Sequence, residues 1–154
     1  MIRAVVDANV LISSVIAPLG PSRRIFDAWR DGTFVLVTSA RLLEEVSRRL
    51  AHPRIAKRYS ITSEDRIAVL GLLEAYATIA RGRREVAVTR DPTDDKVIAA
   101  AIEAGAQYIV TGDKDLLTLG EYEGVAIVSP ARFLISLGEK QQSPYASGAP
   151  CPLG

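Results

Sequence analysis

The chain has 154 residues, 48% of them hydrophobic, which fits one domain with a substantial core. No apolar stretch approaches the roughly 20 residues of a membrane span, and the apolar start around Arg3 is too short for a signal peptide, so we expect a cytoplasmic protein with no membrane association. A single cysteine, Cys151, excludes a disulfide framework or a cysteine metal site within the chain.

The net charge of +1 excludes an argument from overall basicity, but the charges are unevenly distributed. Residues 1–60 hold 10 Lys/Arg against 5 Asp/Glu, whereas residues 101–154 hold 3 against 6. Clustered basic residues either contact a phosphate backbone or form a solvated face, and both interpretations remain open here. The clusters are Arg48/Arg49, Arg54/Lys57/Arg58 and Arg81/Arg83/Arg84.

Short, nearly continuous apolar runs predict strands that are buried on both faces. In chain order these are Ile2–Val6, Phe34–Val37, Glu85–Val88, Tyr108–Val110 and Val125–Val128. Helical patterns alternate with them and cover Ser22–Arg30, Ala40–Leu50, Ser63–Ala80, Asp94–Ala104 and Ala131–Leu137. This alternation predicts an α/β protein with a central parallel sheet between helices.

The C-terminal segment differs in composition from the rest of the chain. Gly138 predicts the end of the last helix, and residues 139–154 are rich in Gln, Ser, Pro and Gly with little to bury. We therefore expect one domain over residues 1–138 and a disordered tail over residues 139–154.

Acidic residues follow the predicted strands at several points. Because ligands bind outside the carboxyl ends of parallel strands, we expect these side chains to meet in one pocket. The clusters are Asp7 after the first strand, Glu44/Glu45 on the helix after the second, Asp94/Asp95 after the third and Asp113/Asp115 after the fourth.

Carboxylates gathered in one pocket repel one another unless a cation or protons neutralise them. Oxygen-only ligands suit Mg²⁺ or Mn²⁺, and one or two such ions commonly act on phosphodiesters by acidifying a bound water and stabilising the leaving oxygen. Acids in a first helical turn and Gly/Asp turns also occur for purely structural reasons. The joint placement of four clusters favours a metal site, and the number of ions stays open.

Neighbouring acids on a helix point about 100° apart, so the two members of a pair cannot both bind the same metal, and one must be chosen. Glu45 lies nearer the apolar stripe of its helix than Glu44, and we prefer it as the ligand. Asp94 falls in line with the apolar positions of its helix, whereas Asp95 is turned to one side, so we prefer Asp94.

Four segments together resemble a known family: Val6–Ser13 (VDANVLIS), Glu45–Leu50, Arg90–Lys96 (RDPTDDK) and Val110–Leu117 (VTGDKDLL). In this order, over about residues 2–137, they resemble the PIN-domain ribonucleases, and in particular the toxins of toxin–antitoxin pairs (VapC-like). The opening segment and the Thr-Gly-Asp-Lys-Asp segment are together fairly specific.

The resemblance implies a three-layer α/β/α PIN-like domain that hydrolyses RNA with metal-activated water and Mg²⁺ or Mn²⁺ as cofactor. Polar residues that orient the metal ligands match Asn9 and Thr111. A register shift of one residue would put Asp95 in the third acidic position. The family's catalytic and metal-binding acids match Asp7, Glu45, Asp94 and Asp113, with Asp115 as a further ligand, directly or through water.

The resemblance to toxins also implies an antitoxin partner that covers the acidic cleft. The apolar stretch from Ile12 to Leu19 is a candidate groove for that partner, a homodimer face or simply core, and the sequence does not separate these interpretations.

Two other functions compete with the ribonuclease. A receiver-like phosphoacceptor module would need an acidic pair near the first strand and a lysine alone after a later one, but Asp7 is solitary and Lys114 has an aspartate on each side. A non-catalytic RNA-binding or assembly domain of the same fold would be expected to lack one of the acids, and all four positions are filled.

Overall fold

A six-stranded sheet forms the centre of the computed structural model, which describes residues 1–82 and 85–141 apart from the side chains of residues 93 and 139–141. The strands are β1 (Arg3–Val6), β2 (Val35–Ser39), β3 (Thr78–Ala80), β4 (Tyr108–Val110), β5 (Glu121–Tyr122) and β6 (Val125–Val128). The helices are α1 (Ala8–Ile16), α2 (Pro21–Arg30), α3 (Ala40–Ala51), α4 (Pro53–Ala56), α5 (Ser63–Tyr76), α6 (Pro92–Glu103), α7 (Lys114–Leu119) and α8 (Pro130–Gln141).

The strand order is β3-β2-β1-β4-β6-β5, and only β5 is antiparallel to its neighbour. The chain moves outward from β1 to β2 and β3, then returns to the other side of β1 with β4. Val6 pairs with Val110 at the carboxyl ends of β1 and β4. This is the switch point at which open α/β sheets bind their ligands.

Helices cover both faces of the sheet. The connection from β3 to β4 crosses the sheet in the opposite direction to those from β1 to β2 and from β2 to β3. Because crossovers are right-handed, α6 lies on one face of the sheet, and the helices that join β1 to β2 and β2 to β3 form a layer on the other. The latter layer is held by contacts of α1 with α2 and α3, of α3 with α5 and of α2 with α8, while α6 packs over β1 to β4. The predicted three-layer α/β/α arrangement is confirmed.

Apolar side chains fill the space between the layers, as the continuous runs predicted. Val5 and Ile109 in the middle of the sheet are fully buried. Helix α8 closes one face through Phe133, whose ring meets those of Phe34 and Tyr108 edge-on at centroid distances of 5.0 and 5.5 Å. Such pairs add to the free energy gained by burying the rings.

The strand predicted over Glu85–Val88 is wrong, because this segment has no regular secondary structure and pairs with no strand among the described residues. The backbone N–H groups of Val88 and Thr89 donate instead to the Asp95 carboxylate, at 3.0 and 2.8 Å. The third parallel strand is Thr78–Ala80, at the edge of the sheet beside β2. The helical pattern assigned to Ser63–Ala80 therefore ends earlier, at Tyr76.

The last helix also differs from its prediction. It continues through Gly138 to Gln141, because a glycine lowers helix propensity without ending a helix that other contacts hold. Residues 142–154, where most of the predicted disordered tail falls, lie outside the described residues. Across residues 1–82 and 85–141, every helix is too short or too polar to cross a membrane.

Candidate metal site at the carboxyl edge of the sheet

Asp7 lies at the switch point, where β1 ends and α1 begins. Its side chain caps α1 by accepting from the Ala8 N–H at 2.7 Å, and its other oxygen accepts from the Thr111 hydroxyl at 2.8 Å. Burial raises the pKa of Asp7 above its usual value, and the bonds from Thr111 and Ala8 offset that only in part. The charges of Glu45 and Asp113 raise the same pKa further.

Thr111 connects the ends of the two central strands. It is fully buried, donates to Asp7 and accepts from the backbone N–H of Asp113 at 3.0 Å. Asp113 in turn caps α7, since one of its oxygens accepts from the N–H groups of Asp115 and Leu116. The segment after β4 is thereby fixed against the segment after β1.

Three carboxylates approach one another closely enough to share a cation. One oxygen from each of Asp94, Asp113 and Asp115 lies within 4.8 Å of the others, and among the residues that the structure describes this is the one group of three such ligands. Asp94 is buried at 7% exposure, and its pKa is raised to about 6. Burial is the largest cause of this shift, followed in decreasing order by the charges of Asp113, Asp91, Asp7 and Asp115.

The two acids at the start of α6 have different surroundings. Asp94 faces the other carboxylates, whereas Asp95 accepts hydrogen bonds from the backbone N–H groups of Val88 and Thr89 and from the Thr89 hydroxyl. Burial acts to raise the pKa of Asp95, but these hydrogen bonds outweigh it and hold the pKa below its usual value. Asp94 therefore joins the acidic cluster, and Asp95 anchors the preceding loop.

Glu45 lies on α3, half-buried at the edge of the cluster, while Glu44 is exposed. Its charge contributes to the raised pKa of Asp7, so the two carboxylates are electrostatically coupled. Arg49, one turn further along α3, donates to Glu45 at 3.4 Å and to the Asn9 side-chain carbonyl. The exposed Asn9 thus reaches the cluster indirectly, through Arg49.

The structure brings all the predicted acids to one edge of the sheet, in two groups. Asp94, Asp113 and Asp115 form the close group, and Asp7 and Glu45 lie beside it, linked to it by their charges. We name these five residues the acidic cluster. Oxygen donors held this closely, with little positive charge among them, match the chemistry of a hard divalent cation such as Mg²⁺ or Mn²⁺.

Two further residues contribute to this site and were not among its predicted residues. Asp91 adds a sixth carboxylate whose charge acts on Asp94, and its backbone carbonyl accepts from the N–H groups of Asp94 and Asp95. Arg49 was grouped with a basic cluster instead of with Glu45. Its spacing of four residues from Glu45, which puts both on one helical face, was the signal that could have found it.

The raised pKa of Asp94 makes metal binding sensitive to pH. Because a carboxyl group with a pKa of about 6 holds its proton below pH 6, protons compete with the cation there. We expect the apparent affinity for Mn²⁺ to fall by up to about tenfold per pH unit below 6 and to level off above 7. Calorimetric titration from pH 5 to 8 measures this, and an affinity independent of pH would contradict it.

Comparison with known proteins agrees with the geometry. A model of the PIN domain, a nuclease family that generally uses divalent metals, matches residues 3–115, which include all of the acidic cluster. The chain is also 34% identical over 119 residues to Uncharacterized protein MJ1680 of Methanocaldococcus jannaschii, covering 77% of this chain and 75% of that protein. The chain therefore belongs to the PIN-domain family.

Proposed function

We propose that this protein is a metal-dependent endoribonuclease that hydrolyses phosphodiester bonds of RNA at the acidic cluster. The observation that carries the proposal is the group of Asp94, Asp113 and Asp115, with ligand oxygens within 4.8 Å of one another, at the switch point of a PIN-family sheet. The family match favours this function over a receiver-like phosphoacceptor module.

In this proposal Asp94, Asp113 and Asp115 hold the cation, with Asp7 and Glu45 completing its surroundings. Mg²⁺ or Mn²⁺, when bound, supplies positive charge to a phosphodiester and acidifies water. The carboxylates must be held in a fixed orientation to bind the metal, and residues that hydrogen-bond to them provide it. Thr111 supplies this for Asp7, and Arg49 with Asn9 supplies it for Glu45.

The cluster also limits what can bind without a cation. Several carboxylates at one edge repel a phosphate group, so RNA approaches this edge productively only when a cation offsets their charge. Asp94, with its pKa of about 6, is largely ionised at pH 7 and ready to bind that cation.

We further propose that the protein is the toxin of a toxin–antitoxin pair that acts in the cytoplasm. The support is the resemblance of its motifs to that branch and an apolar patch at and just after the end of α1, where Val15 and Ile16 are half-buried and Leu19 is 94% exposed. An exposed apolar patch of this kind suits a partner segment. A second copy of the chain is the alternative occupant of this patch.

Cleavage of a mixed RNA pool by the purified protein tests the nuclease. We expect cleavage with Mn²⁺ or Mg²⁺, none after EDTA treatment, recovery when the metal is added back, and none from Asp7→Asn prepared in parallel. Equal cleavage by Asp7→Asn would reveal a contaminating ribonuclease, and RNA binding without cleavage by the native protein would favour the non-catalytic alternative.

The toxin role needs a separate readout in cells. Induced expression of the native chain should arrest growth, and expression of Asp94→Asn to the same level should not. Unimpaired growth with the native chain, although its purified form cleaves RNA, would contradict the toxin role and leave the nuclease intact.

A further inference from the structure

A cavity of about 250 Å³ lies at the carboxyl ends of β2 and β3, outside the acidic cluster. Its floor is apolar and made of small side chains: Ala80 at the end of β3, and Ala99 and Ala100 on α6, all less than 8% exposed. This volume is below the roughly 300–1,000 Å³ of pockets for drug-sized ligands. The cavity therefore suits one flat ring system, laid against alanine methyl groups.

The rim of the cavity is cationic. Arg41 on α3, Arg81 after β3 and Lys96 on α6 all border it, and all three are exposed. Within the described part of the chain, none of them has a carboxylate within 4.0 Å, since the ion pairs there are Arg23–Asp27 and Arg49–Glu45. Three basic side chains that border one cavity, without a carboxylate partner among the described residues, favour an anionic ligand.

Backbone groups add to this preference. The first turn of α3 borders the cavity. The Leu42 N–H donates to the capping Ser39 hydroxyl at 3.2 Å, and the N–H groups of Ala40 and Arg41 before it have no acceptor within the helix. The one carboxylate in the lining, Glu103, accepts from the Gly82 backbone N–H at 2.8 Å, so it is tied to the wall. The cations outnumber it three to one, which leaves the rim positive.

Two helices connect the cavity to the acidic cluster. Arg41 and Glu45 are four residues apart on α3, so they share a helical face and are separated by a rise of about 6 Å. On α6, Lys96 at the rim lies two residues after Asp94 in the cluster. The cavity is thus next to the cluster along the same edge of the sheet, one or two strand spacings of about 4.8 Å from β1.

We propose that this cavity is a nucleotide subsite, which takes the base of a ribonucleotide next to the scissile phosphate of a single-stranded RNA. This proposal rests on the proposed nuclease function and names the way its substrate is held. The base lies on Ala99 and Ala100, and Arg41, Arg81 and Lys96 bind that nucleotide's phosphate. The strand then runs along α3 from the cavity towards Glu45.

Binding, measured apart from cleavage, tests the subsite. We would titrate Asp7→Asn protein into a short, unstructured, fluorescently labelled RNA and follow anisotropy at several salt concentrations. Adding Arg41→Gln and Lys96→Gln should weaken binding by about tenfold or more. Loss of two phosphate contacts should also make the slope of log K against log[salt] shallower by about 1.4. The matched control, Arg24→Gln with Arg132→Gln, removes two exposed charges outside the cavity lining and should change neither the affinity nor the salt slope.

Filling the cavity tests the base-binding part. Ala99→Leu should weaken RNA binding without changing the salt slope, because it displaces the base and removes no charge. Ala75→Leu, on the exposed side of α5, is its control, and melting temperatures establish that each variant is folded. Free mononucleotides at concentrations near the Kd of the RNA should not displace it. Displacement of the RNA by mononucleotides at those concentrations would indicate instead that the cavity binds a free nucleotide.

The outcomes separate the subsite from the nuclease. If the native chain cleaves RNA but the cavity variants bind like their controls, the subsite is wrong and the nuclease stands. If RNA binds and the cavity variants weaken it, but the native chain cleaves nothing, the subsite stands and the nuclease is wrong. If the native chain neither binds nor cleaves RNA with Mn²⁺ present, both are overturned.

Discussion

Asp94→Asn should reduce metal-dependent RNA cleavage by more than about 100-fold, because even changes to residues that only support a metal ligand cost 10- to 100-fold. Asp94 has oxygen atoms within 4.8 Å of those of Asp113 and Asp115, and it is buried. An asparagine there keeps the size of the side chain and removes the negative charge that binds the cation. The measurement is the rate of Mn²⁺-dependent cleavage at pH 7.5.

Asp95→Asn is the matched control, since it makes the same change one residue away. This carboxylate accepts from two backbone N–H groups and the Thr89 hydroxyl instead of facing the cluster. We expect it to lower stability by about 1–3 kcal/mol while cleavage stays within a few-fold of native. Loss of cleavage in Asp95→Asn at full stability, with Asp94→Asn active, would reverse the assignment of the third acid.

Metal should reverse the order of thermal stability of Asp7→Asn and the native chain. Without a cation, the ionised form of buried Asp7 is unfavourable, as its raised pKa shows, and asparagine is as good a helix N-cap as aspartate. We therefore expect metal-free Asp7→Asn to melt about 2–4 °C above the native chain, which corresponds to about 1 kcal/mol for a domain of this size.

Mn²⁺ should reverse this order. A cation at 100 times its Kd stabilises the native chain by about 2.7 kcal/mol, or about 5–10 °C in melting temperature. Asp7→Asn should gain little, because part of the site is lost. Glu74→Gln, an exposed charge change on α5, controls for general effects of Mn²⁺ and should behave like the native chain in both conditions. Equal Mn²⁺ stabilisation of Asp7→Asn and native protein would exclude Asp7 from the site.

The first of these predictions depends on which member of the adjacent pair Asp94 and Asp95 faces the cluster. Helical periodicity predicts Asp94, which falls in line with Val97 and Ile98, and the structure brings Asp94 close to Asp113 and Asp115. The apolar stripe of α3 likewise separated half-buried Glu45 from exposed Glu44. These are local properties of one helix, so the sequence contains them in full.

The wrong strand shows where local patterns stop being sufficient. Glu85–Val88 has the β-branched, apolar composition of a strand, yet its neighbouring N–H groups donate to the Asp95 side chain. Thr78–Ala80, read as the end of a long helix, pairs with β2 instead. A short segment becomes a strand only when another strand offers it hydrogen bonds, and that partner is 41 residues away in the sequence for Val37 and Thr78, too far for a local pattern to reveal.

The sequence by itself determined the α/β class and the family, and it predicted the acids that the structure brings to one edge of the sheet, because strand runs, helix periodicity and short motifs are all encoded locally. The tertiary structure alone decided that Thr111 joins Asp7 to Asp113, that Arg49 bridges Glu45 and Asn9, and that a cationic cavity lies next to the acidic cluster. Each of these joins residues from different strands or helices. Their distances depend on how the layers pack, and packing is a property of the whole chain.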